Sequence, residues 1–317
     1  MVQLQREILG NLRKYGSLKE LIKEKGFLSL LDFIVTGVIH KTLKRTYRPL
    51  RNNYGLSESL FCPQPVNQFE RYARVINEIR QMDADTISVL EVGAGGEGLS
   101  FFSSILKKKC NFFLVDINKQ VSGDFKRKQA VICDGCRLPF KNKAFDVTVL
   151  ADVLEHVPKI NRPTFYVELK RVCKKKLIVT CPLQSDDGMF QGKKYDVTFQ
   201  HFFEIAYGRK EPNTAEHISA NHPTLSEINE NLPGSTVYGY WNCNLWLKYM
   251  LFSNKPLMGL FSGVFYYLFW KKDANKPPYW GGIITLNFTN HLADSSKAEN
   301  TVISTSVELP TDFVLEK

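Results

Sequence analysis

Paired cysteine is what this chain lacks most plainly. Its seven cysteines are odd in number and scattered, several of them inside apolar, strand-like runs. That excludes a disulfide-stapled secreted scaffold and fits reduced, mostly buried thiols in a cytosolic setting. Cys133-x-x-Cys136 has no second pair at metal spacing, so it reads as pocket lining and not as a zinc or redox centre. An apolar run long enough to cross a bilayer is missing too. The two strongest, residues 27–39 and 257–270, hold thirteen and fourteen residues, against about twenty for a spanning helix. The opening residues are polar and charged, without an apolar run or cleavage site, so no secretory signal is expected and a cytoplasmic location is. No internal repeat is visible, which excludes a repeat architecture.

What is there belongs to a globular protein. The 317 residues are 44% hydrophobic and 23% charged, enough for a sizeable core and too apolar for a disordered chain. The net charge of +10 is unevenly placed: residues 1–51 carry eleven basic and four acidic side chains, so +7 of it lies in that arm. Within the arm, Ser17-Leu18-Lys19-Glu20 is a capping-box pattern. The apolar residues 27–39 follow, broken by Asp32, and then the basic run 41–51. Two readings of this arm stay open. It is a helix packed over the functional site, or an interfacial helix whose polybasic flank meets an anionic membrane surface, with the protein peripheral on it.

The most informative stretch is Val89-Leu90-Glu91-Val92-Gly93-Ala94-Gly95-Gly96-Glu97-Gly98. A β-branched apolar run enters a turn holding four glycines, and Leu99-Ser100-Phe101-Phe102 reads as a helix start. Glycines allow the tight turn and let a ligand touch the main chain, while a helix start offers unpaired N–H groups. Gly93-x-Gly95-x-x-Gly98 matches the dinucleotide fingerprint, with Asp116 as the ribose-binding acid. Glu91-x-Gly93-x-Gly95 resembles instead the first motif of class I S-adenosylmethionine (SAM) methyltransferases. Many members carry a further glycine two residues on, where this chain has Glu97.

The following residues decide between the two. Asn111-Phe112-Phe113-Leu114-Val115-Asp116 and Gln129-Ala130-Val131-Ile132-Cys133-Asp134 are short buried-strand patterns, each ending in a carboxylate. Leu138-Pro139-Phe140, then Phe145-Asp146, then Leu154-Glu155-His156-Val157 complete a series of strand, acid, strand, acid, strand. Residues 87–181 thereby resemble the small-molecule methyltransferases of the class I fold. The resemblance implies an α/β, Rossmann-like architecture: a seven-stranded mixed sheet with helices on both faces. It implies SAM as the methyl donor, held by Glu91, Gly93, Ala94, Gly95 and Gly98 in the loop. Asp116 and Ile117 would meet the ribose, Asp134 and Gly135 the adenine, and Ala151 would follow the fourth strand.

Asp152-x-x-Glu155-His156 is the candidate for catalysis. On a helix these positions share a face, so two carboxylates and an imidazole would converge beside the donor. A similar acid-x-x-Glu-His pattern ligates a divalent metal in some hydroxyl methyltransferases. Many relatives with Leu-Glu-His-Val hold none and use the histidine as a base or hydrogen-bond partner, and no residue is assigned here as a metal ligand. His201, His217 and His222 lie in a later insertion that could supply a further ligand if a metal is held; His217 is also read as a further base on a lid. Lys276-Pro277-Pro278-Tyr279 resembles the Pro-Pro-Tyr motif of amino-group methyltransferases but sits before the last strand, so it reads as a loop turn.

The expected organisation is an arm over residues 1–66, a methyltransferase domain over 67–290 and a flexible tail over 291–317. Insertions fall at 183–222 and 242–280. Helices are predicted over 67–81, 163–173 and 224–232, and strands over 176–182, 236–241 and 282–288. Because the appendages are apolar, aromatic and basic, the expected acceptor is a hydroxyl or carboxylate on a glycan- or lipid-linked small molecule. Two alternatives remain. One is an RNA methyltransferase gripping phosphate with the arm, disfavoured by a net charge of only +3 over residues 52–317 and by the absence of a visible RNA-binding module; the other is a membrane-associated scaffold of the same fold without activity. Nothing in the sequence fixes an oligomeric state.

Overall fold

The computed structural model describes residues 66–95, 98–102, 106, 108–118, 129–253, 266–288 and 302–303. The arm, Glu97 of the glycine loop and most of the tail lie outside the described residues. Two compact units are distinguished. One comprises residues 67–248 and 270–309 and carries the sheet; the other comprises residues 1–66, 249–269 and 310–317, described only at Val66, 249–253 and 266–269.

The sheet is built from β1 (Thr86–Val92), β2 (Lys109–Asp116), β3 (Gln129–Ile132), β4 (Phe145–Ala151), β5 (Cys173–Pro182), β6 (Thr236–Asn242), β7 (Tyr279–Asn287) and β8 (Val302–Ile303). Their order is β3-β2-β1-β4-β5-β7-β6-β8. The pairs among β3, β2, β1, β4 and β5 are parallel, and β7 runs antiparallel to both β5 and β6. The expected seven-stranded mixed sheet is present. The two-residue β8, from the segment read as a tail, adds a short parallel edge to β6.

Burial follows position in the sheet. The central β1 and β4 are apolar on both faces and almost entirely buried, as strands covered on both sides must be. β3, at the edge of the sheet, is largely exposed. The core groups Leu90, Leu150, Leu154, Tyr166, Leu177 and Val179 around β1, β4 and β5. Helix α1 (Val66–Arg80) buries Tyr72, Val75, Ile76 and Ile79, the 3.6-residue period of a one-sided helix. α2 (Arg162–Val172) does the same with Phe165, Tyr166, Leu169 and Val172.

Between β5 and β6 come α3 (Gly192–Tyr207), α4 (Pro212–Ala220) and α5 (Leu225–Asn231), and after β6 comes α6 (Cys243–Ser253). The insertion expected at 183–222 is thus mainly two helices. Thr224 caps α5 by accepting from the Glu227 N–H at 3.1 Å. Lys276-Pro277-Pro278 lies in the loop before β7, as expected. Among the described residues no helix is long and apolar enough to cross a membrane.

Strand order reverses between β1 and β4, because β2 and β3 continue to one side of β1 and β4 and β5 to the other. In open α/β sheets the crevice at such a switch point, beyond the carboxyl ends of the strands, is where ligands bind. Gly93 follows β1 and Asp152 follows β4 at that crevice.

Candidate active site

The glycine loop is held from three sides. Gly93 N–H and Ala94 N–H both donate to the Val115 carbonyl, at 2.7 and 3.2 Å, tying the turn to β2. Gly95 N–H donates to Asp116 Oδ2 at 3.0 Å, and Asn118 N–H to Asp116 Oδ1 at 2.8 Å. One carboxylate at the end of β2 therefore fixes the loop and still has lone pairs for two vicinal hydroxyls. At the end of β3, Asp134 Oδ1 accepts from the Cys136 N–H at 2.9 Å, and the side chain is otherwise exposed. Ile117 is exposed beside Asp116, and Ala151 is buried at the end of β4. Gly135 is required by packing: a Cβ there would sit 2.1 Å from the Phe165 ring.

The three described glycines of the loop all have positive φ, from 52° to 74°. A Cβ on Gly93 would meet Val153 Cγ2 at 2.3 Å, and one on Gly98 would meet Glu91 Oε2 at the same distance. A Cβ on Gly95 would meet nothing within 4 Å. Gly95 thus faces open space beside Asp116, and the cradle suits a ribose-bearing cofactor whose remaining atoms approach the main chain.

Two expectations are corrected here. Glu91 is 0% exposed; it accepts from Tyr72 OH at 2.9 Å and from the Leu99 N–H at 2.7 Å. It supports the loop from beneath, so its observed role is to position the loop. The helix start after the loop is a single 3-10 turn, Leu99–Phe102.

The second correction concerns Asp152-x-x-Glu155-His156. Asp152 has a φ of 51°, so the chain turns sharply after β4, and Leu154–His156 forms only a 3-10 turn. The three side chains do not share a helical face. Asp152 instead pairs with Arg71 of α1 and accepts from Thr180 Oγ1 at 3.1 Å and Tyr240 OH at 3.2 Å. With these partners it stiffens the switch point, and the catalytic role expected of it has no free carboxylate oxygen behind it.

Glu155 and His156 do meet His217, which α4 delivers from the insertion. His156 Nε2 lies 3.2 Å from His217 Nε2, and His217 Nε2 lies 3.9 Å from Glu155 Oε1. Each imidazole is oriented from behind by a carboxylate: His156 Nδ1 by Glu216 at 3.1 Å, His217 Nδ1 by Asp196 at 2.9 Å. Asp196, on α3 and 0% exposed, also accepts from His222 Nε2 at 2.8 Å and Trp280 Nε1 at 2.6 Å. His201 lies on the exposed side of α3, away from this group.

The electrostatics follow from burial and these contacts. Burial, reinforced by Asp152, raises the Glu155 carboxyl above the usual range. Burial opposes charge on His217, but the hydrogen bond to Asp196 and the charge of Glu155 outweigh it, so His217 is raised. Burial and the neighbouring His217 lower His156. Burial alone would raise Asp196, and the hydrogen bonds from His217 and His222 bring it below the ordinary value instead. The arrangement keeps a proton on His217 while His156 stays neutral.

The sequence singles out His222 only as one histidine of the insertion, and does not mark Asp196, Glu216 or Trp280 as site residues. One signal was available for Asp196. It stands in register with Phe199, Gln200 and Phe203 on the buried stripe of α3, and an acid in an apolar stripe needs a partner. Arg162 of α2 was missed as well. It is 1% exposed and donates to the carbonyls of Val157, Ala220 and Asn221 and to Glu227. It thereby clamps the turn bearing His156 to the end of the helix bearing His217.

Residues 90–180 match a family model described as methyltransferase domain. Among curated proteins none matches. Solved structures similar to this chain include the PH0226 protein of Pyrococcus horikoshii OT3, at 18% identity, 38% coverage of this chain and TM-score 0.33; the match spans 59% of that protein. Another is a SAM-dependent methyltransferase from Archaeoglobus fulgidus, at 11% identity, covering 69% of this chain and 94% of that one, TM-score 0.43. A third is geranyl diphosphate C-methyltransferase from Streptomyces coelicolor A3(2), solved with Mg2+, geranyl-S-thiolodiphosphate and S-adenosyl-L-homocysteine. It is 10% identical, covering 73% of this chain and 79% of that one, TM-score 0.48. All three scores fall below 0.5, so the assignment rests on the family match, the order of acids along the strands and the glycine cradle. On that basis residues 90–180 are a methyltransferase domain.

Proposed function

We propose that this enzyme methylates an oxygen, a hydroxyl or carboxylate, of a glycan- or lipid-linked small molecule. Bound SAM supplies an electrophilic methyl group on a sulfonium. Gly93, Ala94 and Gly95 would bring the main chain against it, Asp116 would hold its ribose and Asp134 would face its adenine. Transfer from such a donor to an acceptor oxygen would be an in-line displacement, so the work left to these residues is alignment and exclusion of water. If the acceptor is a hydroxyl, a proton must also leave, and the observation that carries this reading is a group able to take it. Neutral His156, with Glu155 and His217 beside it, stands one short turn beyond β4, where Val153 abuts Gly93 of the donor loop.

The apolar and aromatic character of the appendages supports a lipid- or glycan-linked acceptor over a free polar metabolite. α6 contributes Leu245, Trp246 and Leu247's neighbour Lys248 in a largely apolar helix, Cys243–Ser253. α3 exposes Phe202 and Ile205, the latter 70% exposed. The proposed partner surface for the basic arm is an anionic membrane. The test is methyl transfer from labelled SAM to fractionated lipids, glycans and RNA. Label is expected in the lipid or glycan fraction, in a base-stable linkage for an ether. Label confined to RNA would replace this reading with the nucleic-acid one, and no transfer to any fraction by protein that binds SAM would leave the scaffold reading.

A further inference from the structure

We propose that Glu155, His156 and His217 form a binding site for a divalent transition-metal cation of the zinc type. The donor atoms of the three residues all lie within 4.8 Å of one another. Two ligands about 2.0–2.1 Å from a common zinc ion stand roughly 3–3.4 Å apart. The two Nε2 atoms already meet that spacing at 3.2 Å, and Glu155 Oε1, at 3.9 Å from His217, needs to close by only about half an ångström.

Three further observations point to a cation. Glu155 is 0% exposed, and neither of its oxygens accepts a hydrogen bond among the described residues. A buried carboxylate in that state is costly unless something positive faces it. Second, each imidazole has its Nδ1 held by a carboxylate, Glu216 or Asp196, which leaves the Nε2 lone pairs aimed at one point. Carboxylate behind histidine is the usual outer shell of a metal site, fixing tautomer and ring orientation. Third, Asp196 is itself locked by His222 and Trp280. Its oxygens are taken, so the alternative trio of Asp196, His217 and His222 is the support and not the site.

Two imidazoles and one carboxylate favour zinc-like ions over magnesium or calcium, which prefer oxygen ligands. The set is not the Asp152-x-x-Glu155-His156 face suggested by spacing; Asp152 is engaged with Arg71, and His217 takes its place from the insertion. The cation substitutes for the proton that the two Nε2 atoms share in its absence, so that proton is released on binding. Three protein ligands leave a coordination position open. Its catalytic consequence rests on the hydroxyl reading above: with the cation bound, both nitrogens of His156 are engaged and it serves as a ligand instead of the base, and an acceptor hydroxyl at the open position loses its proton to solvent more readily.

The test uses the full-length protein stripped with chelator and then titrated with Co2+ by visible absorption and with Zn2+ by calorimetry in two buffers of different ionisation enthalpy. SAM binding is measured on the same samples. One equivalent of cation is expected, with proton release. Glu155→Gln and His217→Ala should each weaken binding by about 100-fold or more, and Glu216→Gln, at an exposed side chain, by about tenfold. His201→Ala should leave it unchanged. Absence of stoichiometric binding in protein that still binds SAM would overturn the site while leaving the methyltransferase reading intact. Undiminished affinity in folded Glu216→Gln together with either ligand variant would overturn it equally. Loss of SAM binding with cation binding retained would count against the donor site and not against this one.

Discussion

A methyl group added at Gly95 or at Gly98 meets quite different neighbours, and the difference separates loop shape from ligand contact. At Gly98, with φ of 52°, it would collide with the buried Glu91 carboxylate that holds Tyr72 and the Leu99 N–H. Gly98→Ala should therefore destabilise the protein by about 2–4 kcal/mol, from the left-handed backbone plus overpacking. At Gly95 the new methyl enters open space, so the folded protein bears only the backbone cost of about 1–2 kcal/mol. SAM affinity should nonetheless fall about tenfold or more, since that space belongs to the donor. Urea melts and SAM calorimetry on both variants check this; a Gly95→Ala protein with wild-type SAM affinity would move the donor elsewhere. A second residue-scale prediction concerns Ser88, whose N–H and hydroxyl donate to Asp146 at 3.0 and 2.8 Å. Burial opposes the charge on Asp146, but the Ser88 bonds and Lys175 outweigh it and hold the carboxyl below its ordinary 3.8. A lowered carboxyl contributes stability that is present above the unfolded value and lost as pH falls through the folded one. Ser88→Ala should cost about 1 kcal/mol at neutral pH. That gap should narrow below about pH 4 as Asp146 protonates, and melts at pH 7 and pH 3 measure it.

At the scale of elements, the group of Glu155, His156 and His217 depends on how three short pieces are held. The 3-10 turn Leu154–His156, α4 and α5 are joined through Arg162, which reaches Val157, Ala220, Asn221 and Glu227 at once. Tyr166 OH adds a bond to the same Glu227 at 3.1 Å. Arg162→Met keeps the apolar stem but leaves a carboxylate and several carbonyls buried without their donor, at about 3–5 kcal/mol. Methyl transfer should fall more than SAM affinity, because the His156–His217 approach depends on the clamp and the Gly95–Asp116 cradle does not. Equal losses in both would show that Arg162 serves only global stability. The same distinction explains what was legible in the sequence. β1 to β5 could be read because each is a short apolar run, a local pattern, and β2, β3 and β4 each lead into an acid at the turn; α2, α5, β6 and β7 fall within a few residues of their expected places. The helical reading of Asp152 to His156 failed because the positive φ at Asp152 breaks the period that would have aligned them. His217 was noticed as a base, yet its partners could not be: Asp196 is 21 residues away on another helix, and Trp280 is on β7. Such pairings are set by tertiary packing, which no local periodicity records.

Across the whole molecule, charge is divided between the parts more sharply than composition suggests. Residues 1–51 carry eleven basic and four acidic side chains, while the full chain has a net charge of only +10. Residues 67–290 carry twenty-nine basic and twenty-two acidic side chains, +7 over 224 residues, so the arm holds the same net charge in less than a quarter of the length. A compact basic segment beside an apolar stretch suits a surface that is both anionic and greasy, where each basic residue near the headgroups contributes about 1 kcal/mol. If the acceptor is lipid-linked, this places enzyme and acceptor on the same two-dimensional surface and raises the local acceptor concentration without any change at the catalytic group. The expected outcome is that full-length protein floats with phosphatidylserine vesicles at low salt and is released as salt screens the charges. It should not float with neutral phosphatidylcholine vesicles, and deleting residues 1–51 should abolish flotation while SAM affinity is kept. Methyl transfer to a vesicle-borne acceptor should then drop with the deletion, and transfer to the same acceptor in detergent should not. Unchanged flotation of the deleted protein would assign membrane affinity to another segment; a parallel drop in detergent would make the arm part of the acceptor site itself.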